Sequence, residues 1–165
     1  MLHFESLAAR FCQSISGYPV NARPSLHVAA KLQNLAEIRR FVEEAAVALG
    51  IDQAVIPDAV LAMNEAATNV ILHGYQGRGG CLDIEVGREG DDLVLRLRDQ
   101  APPFDPTTIP SPDLTRLEEE PLPGGLGVYL IRRAVDRMLH PLTPQGGNEL
   151  ILIKKGIADA PDKGQ

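Results

Sequence analysis

Apolar residues recur along this chain with two different periods, and the change of period divides it. Leu35, Ile38, Phe41, Val42, Ala45 and Leu49 return every three or four positions, which predicts an amphipathic helix. Asn34 is placed to cap this helix, Glu37 three residues on would complete a capping box, and Gly50 would stop it. A second helix is expected from Pro57, a residue suited to a first turn, to about His73. The period then drops to two. Leu82, Ile84 and Val86 alternate with Asp83, Glu85 and Gly87, and after a turn at Glu89-Gly90-Asp91, Leu93, Leu95 and Leu97 alternate with Val94, Arg96 and Arg98. This is a β-hairpin pattern. Leu26–Ala30 reads as an earlier strand, Gly127–Leu139 as a third helix and Leu150–Ile153 as a last strand.

The order β-α-α-β-β-loop-α-β predicts an α/β (α+β) two-layer sandwich, with a mixed, mostly antiparallel sheet and the helices packed on one face. The other sheet face stays open unless further strands or a partner cover it. The compact domain is expected over residues 24–155. Residues 1–24 read as an N-terminal extension in which Leu2, Leu7, Ala8, Phe11 and Ile15 share one apolar stripe, either a packing helix or a partner contact. Residues 156–165 read as a polar, flexible tail. Residues 100–123 are proline-rich and carry the acidic run Glu118–Glu120, the kind of long loop that serves as a mobile lid.

Composition narrows the classes. With 165 residues, 44% of them hydrophobic, the chain fits one globular domain. Aromatics reach only 4% and Trp is absent, so the core must be aliphatic. A net charge of -6 argues against a general nucleic-acid binder, which needs a basic face. No apolar run has the length of a membrane span, and no signal-peptide pattern opens the chain. Cys12 and Cys81 have no metal-ligand spacing, and the four histidines do not cluster with them, so a reducing, cytoplasmic setting is expected.

Three features carry candidate chemistry. Glu65, Asn69 and His73, spaced four apart, form a polar stripe on the second helix. A solvated face explains a lone Glu equally well, but Asn is a poor helix-interior residue. A carboxylate and an amide oxygen one turn apart suit a proton acceptor and a hard ion such as Mg²⁺, which takes few protein ligands beside phosphates. Asp99 shares the parity of Leu93, Leu95 and Leu97, so it should point to the buried side, where it needs donors. A buried ion pair or a turn cap would satisfy it, and so would a ligand donor such as adenine's exocyclic amine, with Phe104 and the neighbouring prolines walling an apolar slot. Gly124-Gly125-Leu126-Gly127 precedes a helical pattern, where bare backbone amides can approach phosphate. An ordinary loop-to-helix junction has the same look, and the run is not a Walker loop.

In combination these segments are far more specific. Asn64-Glu65-Ala66-Ala67-Thr68-Asn69-Val70-Ile71-Leu72-His73-Gly74-Tyr75 resembles the N box of the GHKL ATPases, the superfamily of gyrase and histidine-kinase nucleotide domains. Asp99–Pro106 is similar to its adenine-binding segment and Gly124–Ile131 to its glycine box. The Glu-x-x-x-Asn-x-x-x-His-Gly-Tyr form is most similar to bacterial anti-sigma-factor serine/threonine kinases. The resemblance covers residues 24 to 155 and implies a histidine-kinase-like ATPase fold with ATP and Mg²⁺ as cofactors. It implies Glu65 as general base, Asn69 as the Mg²⁺ ligand, Asp99 as the reader of adenine, and nucleotide contacts from His73, Ala101, Phe104 and Asn148. Gly124, Gly125, Leu126, Gly127 and Val128 would meet phosphates. The implied partners are an anti-anti-sigma protein of the STAS type, a sigma factor and a second copy of the chain, with no direct nucleic-acid or membrane contact. Two departures stand out: Ala101 replaces a glycine usual in the superfamily, and Arg116 is the one basic residue between 106 and 127. They keep a rival open, a nucleotide-dependent partner-switching module without kinase activity.

Overall fold

The computed structural model describes residues 23–113 and 125–156. The apolar stripe of residues 1–22, the acidic part of the long loop with Arg116 and Gly124, and the tail from 157 lie outside the described residues. Five strands, β1 (Ser25–Ala29), β2 (Cys81–Glu89), β3 (Asp92–Asp99), β4 (Arg137–Leu139) and β5 (Asn148–Lys154), form one sheet in the order β1-β2-β3-β5-β4. All four pairings are antiparallel. Helices α1 (Leu35–Ala48), α2 (Ile56–Asn69) and α3 (Leu126–Ala134) supply the second layer, with α2 packed against both of the others.

Alternation decides which side of the sheet is covered. Leu82, Ile84 and Val86 of β2, Leu93, Leu95 and Leu97 of β3, and Leu150 and Leu152 of β5 are buried against Ile38 and Val42 of α1, Met63 of α2 and Ile131 of α3. Beyond Ile56 at its start, the buried face of α2 is otherwise alanine: Ala59, Ala62, Ala66 and Ala67. Small side chains let this central helix lie close to the sheet. Asp99 continues the buried parity of β3, as its spacing required.

The opposite face is open and charged. Arg23, Arg96 and Arg98 converge on Glu85 at 3.1, 3.3 and 3.5 Å, and Arg98 also bonds Glu149 at 2.9 Å. Burial pushes the Glu85 carboxyl up, but hydrogen bonding from Arg23 and the charges of the three arginines bring it below its ordinary value. Alternating signs across neighbouring strands let this part of the face meet water, though such pairs add little stability each.

Four expectations are corrected. Asn34 does not cap α1: it lies in a 3-10 turn, Leu32–Asn34, and its Nδ2 donates to the Ala29 carbonyl at 2.8 Å, tying the end of β1 to the helix start. The third helix stops at Ala134 rather than Leu139, because Val135 turns extended and Asp136 N–H donates to the Ile153 carbonyl at 2.9 Å. Residues 137–139 then pair with β5 as a fifth strand, where four were expected. The second helix changes form at Asn69 and continues as a π-helical segment, Val70–Tyr75. Such wide turns inside helices concentrate at functional sites.

Tyr75 anchors that segment to the sheet. Its hydroxyl donates to the Cys81 carbonyl at 2.9 Å and accepts from Gln100 N–H at 2.8 Å, joining the start of β2 to the residue after β3. Its ring lies where a Cβ on Gly80 would stand, 2.1 Å from Cε1. Tyr75→Phe leaves both backbone groups without this partner and is expected to cost about 1–3 kcal/mol, measured by denaturant unfolding.

Candidate functional site

The end of β3, the start of β5 and the π-helical segment meet at one cavity of about 230 Å³. Its floor is apolar, from Leu97, Ile131 and Leu150, and Pro102, Pro103 and Phe104 form one wall. Asn69, His73, Asp99, Ala101, Phe104 and Asn148 all line it, so six residues expected from the sequence to touch a nucleotide converge here.

Asp99 is 6% exposed. Its Oδ1 accepts from Ala101 N–H at 2.9 Å and from Asn148 Nδ2 at 2.9 Å. Both donors meet Oδ1, which leaves Oδ2 with no hydrogen bond among the described residues. Burial pushes the Asp99 carboxyl up, against the opposing pull of Asn148, the Ala101 amide and the charge of His140. The site therefore holds a buried acceptor with one oxygen free, the arrangement that suits an amine donor from a ligand.

Asn148 is the cross-strand partner of Asp99, and all its polar atoms are engaged. Besides Asp99, Nδ2 reaches the carbonyls of Ala101 and Pro102 at 3.1 and 3.3 Å, and Oδ1 accepts from Phe104 N–H at 3.0 Å. It thus shapes the loop after β3. Gly147 permits this, since a Cβ there would lie 2.4 Å from the Asp99 carbonyl oxygen. Ala101 is accommodated in a similar way: its Cβ lies 2.9 Å from where a Cβ on Gly74 would stand, so the Gly of the His73-Gly74-Tyr75 run leaves space for it.

The glycine-rich segment meets α2 beside this cavity. A Cβ on Gly127 would sit 3.1 Å from Asn69 Oδ1 and 3.3 Å from Glu65 Oε2. The bare start of α3 therefore faces Asn69 and Glu65, two of the three polar side chains of the stripe, with no room for a side chain between. Gly125, at φ +96°, makes the left-handed turn into α3, which has no side-chain cap. The first amides of this helix lack intrahelical partners and form the positive end of its dipole. Val128 is buried, so only its backbone is offered to a ligand.

Several contributors were not legible in the sequence. Arg39 Nη1 donates to Asn64 Oδ1 at 2.8 Å and Asn64 Nδ2 reaches Glu65 Oε1 at 3.4 Å, a chain that orients the Glu65 carboxylate. Arg132, on the last turn of α3, donates to the carbonyls of Thr107 and Pro106 at 3.0 and 3.4 Å and pins the loop leading to residue 113. His140 lines the cavity with its Nδ1 3.8 Å from Asp105 Oδ1. Its Nε2 is buried without a hydrogen-bond partner among the described residues. No group of three or more His, Cys, Asp or Glu able to hold a metal is present among the described residues, so an ion here would rest on Asn69 and ligands of the substrate.

Comparison with known proteins agrees with this geometry. A serine-protein kinase RsbW from Bacillus cereus is 30% identical over 115 residues, covering 67% of this chain and 72% of its own. An anti-sigma F factor from a Thermoanaerobacter species is 29% identical over 133 residues, covering 78% and 90%. A crystal structure of the RsbU and RsbW domains of a Mycobacterium tuberculosis protein superposes with a TM-score of 0.54 at 20% identity, over 81% of this chain and 32% of that one, a likeness of fold. Residues 28–154 match the family described as the histidine kinase-like ATPase domain. A buried Asp with a free oxygen at the end of β3, an Asn-bearing helix facing a glycine-initiated helix, and this match over most of the described chain make it a member of the histidine kinase-like ATPase domain family.

Proposed function

We propose that this chain is an anti-sigma factor that binds Mg-ATP and transfers its terminal phosphoryl group to a Ser or Thr of an anti-anti-sigma protein of the STAS type. The names of its relatives, serine-protein kinase and anti-sigma factor, support the reading. The observation that carries it is that the space a side chain at Gly127 would fill is bounded by Asn69 and Glu65 together. The same bare helix start adjoins an ion ligand and a proton acceptor.

Each residue then has a task. Asp99 Oδ2 accepts from the adenine amine, while Asn148 and the Ala101 amide hold its other oxygen. Phe104 and His73 flank the nucleotide, and the amides of residues 125–128 meet phosphate. Asn69 Oδ1 is the protein ligand for Mg²⁺, which would neutralise phosphate charge. The partner's hydroxyl oxygen attacks the terminal phosphorus, the bond to the bridging oxygen breaks to release ADP, and Glu65 receives the hydroxyl proton. A homodimer in the cytoplasm is part of the same reading.

Gly127→Ala tests the helix contact. Alanine is the better helix former, by up to about 1 kcal/mol, so the unfolding midpoint should hold or rise. The added Cβ displaces Asn69 and Glu65, and phosphate transfer should fall about tenfold or more, measured with γ-labelled ATP.

The direct test of the function is labelling of cognate STAS proteins by γ-labelled ATP. Phosphate on a partner Ser or Thr is expected. If none appears, and Glu65→Gln behaves as the unsubstituted protein does, the kinase reading is wrong. Partner release on nucleotide exchange would then identify a nucleotide-switched binding module.

A further inference from the structure

The turn after the π-helical segment is built in an unusual way. Gln76 has φ +52°, the one non-glycine residue with positive φ among those described, and Gly77 and Gly79 follow at +75° and +74°. A non-glycine residue in this region stores strain, and such residues gather at ligand sites. The turn brings Gln76 and Arg78 to the wall of the cavity. Arg78 is fixed there twice by one acceptor: its N–H and its Nε donate to the Tyr75 carbonyl at 2.9 and 3.3 Å.

The guanidinium is otherwise free. Arg23, Arg88, Arg96 and Arg98 all pair with carboxylates, whereas Arg78 has no acidic partner among the described residues. Among the described residues it is also the one Arg or Lys in the cavity wall. Its place along the cavity is set by neighbours. Gly74, packed on Ala101 beside Asp99, lines it together with Asn69, which adjoins Gly127. Tyr75, which holds Arg78, hydrogen-bonds Gln100, the residue next to Asp99.

We infer that Arg78 is a further nucleotide-binding residue that covers the purine, laying its guanidinium plane on the base held by Asp99. This rests on the nucleotide reading given above. A planar cation tethered at Nε keeps both terminal nitrogens at the rim, and guanidinium groups stack on aromatic faces. Phe104, 49% exposed on the facing loop, is a second flat surface for the same slot.

Titration calorimetry of the full chain with adenosine, ADP and Mg-ATP separates base from phosphate contact. Arg78→Ala should weaken all three by the same factor, about threefold to thirtyfold. Arg78→Lys keeps the charge without the plane and should recover little of the loss. The circular-dichroism melting midpoint should be unchanged in both variants. A loss that grows with the number of phosphates, full recovery by Lys, or no loss at all overturns the inference. Absence of Mg-ATP binding by the unsubstituted protein overturns instead the nucleotide reading itself.

Discussion

Asp99→Asn is expected to lower ATP affinity by on the order of a hundredfold, without weakening the fold. The loss has two parts. A hydrogen bond to a charged acceptor contributes about 1.5–3 kcal/mol, and an amide at this position would turn a donor toward another donor. Stability should move the other way. Burial raises the folded-state pKa of Asp99 above its ordinary value. Its contribution to stability is therefore complete below the unfolded pKa and is lost as pH rises through the folded one. Near neutrality the ionised carboxylate is a cost, which Asn does not carry. Asn at this position can still accept from Asn148 Nδ2 and the Ala101 amide through its one oxygen, so the ladder between β3 and β5 is kept. Calorimetry with Mg-ATP and thermal melts of the nucleotide-free protein, run from acid to neutral pH, check both halves. Equal ATP affinity in the two proteins would remove Asp99 from the binding site, and a large drop in melting temperature would make its role structural.

Glu65→Gln is the second large effect. The two side chains have nearly the same shape, so ATP affinity should change less than about threefold, while phosphate transfer falls by about 10²–10⁴. Orientation is what the substitution preserves, because Asn64, itself held by Arg39, meets Oε1, whereas Oε2 is the atom near Gly127. Single-turnover labelling of the partner, beside ATP titration, measures the two quantities apart. Parallel loss of binding and transfer would show that Glu65 holds the nucleotide rather than the proton.

Much of the scaffold could be read from period alone. α1 and α2 follow from the helical period, and the hairpin and the inward side of Asp99 from alternation, patterns that tertiary structure had no reason to override. The end of α3 was not legible. Ile131, Ala134, Val135 and Met138 continue a helical spacing past the point where Val135 turns extended, and it is the pairing with β5 that takes Arg137–Leu139 as a strand. Long-range ladder bonds decided between two patterns that the local sequence allows equally.

The candidate site divides in the same way. Glu65, Asn69 and Asp99 were visible because each breaks a rule of its own element: polar residues within an alanine-rich helix, and a carboxylate in buried parity. Asn148 was visible only through resemblance, as a nucleotide contact; it lines the cavity, and its side-chain bonds to Asp99, Ala101, Pro102 and Phe104 were not legible. Arg78 and His140 carry no signal of their own. They reach the cavity through a left-handed turn and through an unforeseen strand, and neither can be inferred before the π-helical segment and β4 are known.

The most direct measurement is a crystal structure of the chain with Mg²⁺ and a non-hydrolysable ATP analogue. The expected result has the adenine amine on Asp99 Oδ2, the metal on Asn69 Oδ1, and the terminal phosphate on the backbone amides at the start of α3. An analogue bound elsewhere, or bound with its phosphates turned away from Asn69 and Gly127, would contradict the proposed ATP site and the phosphate transfer built on it.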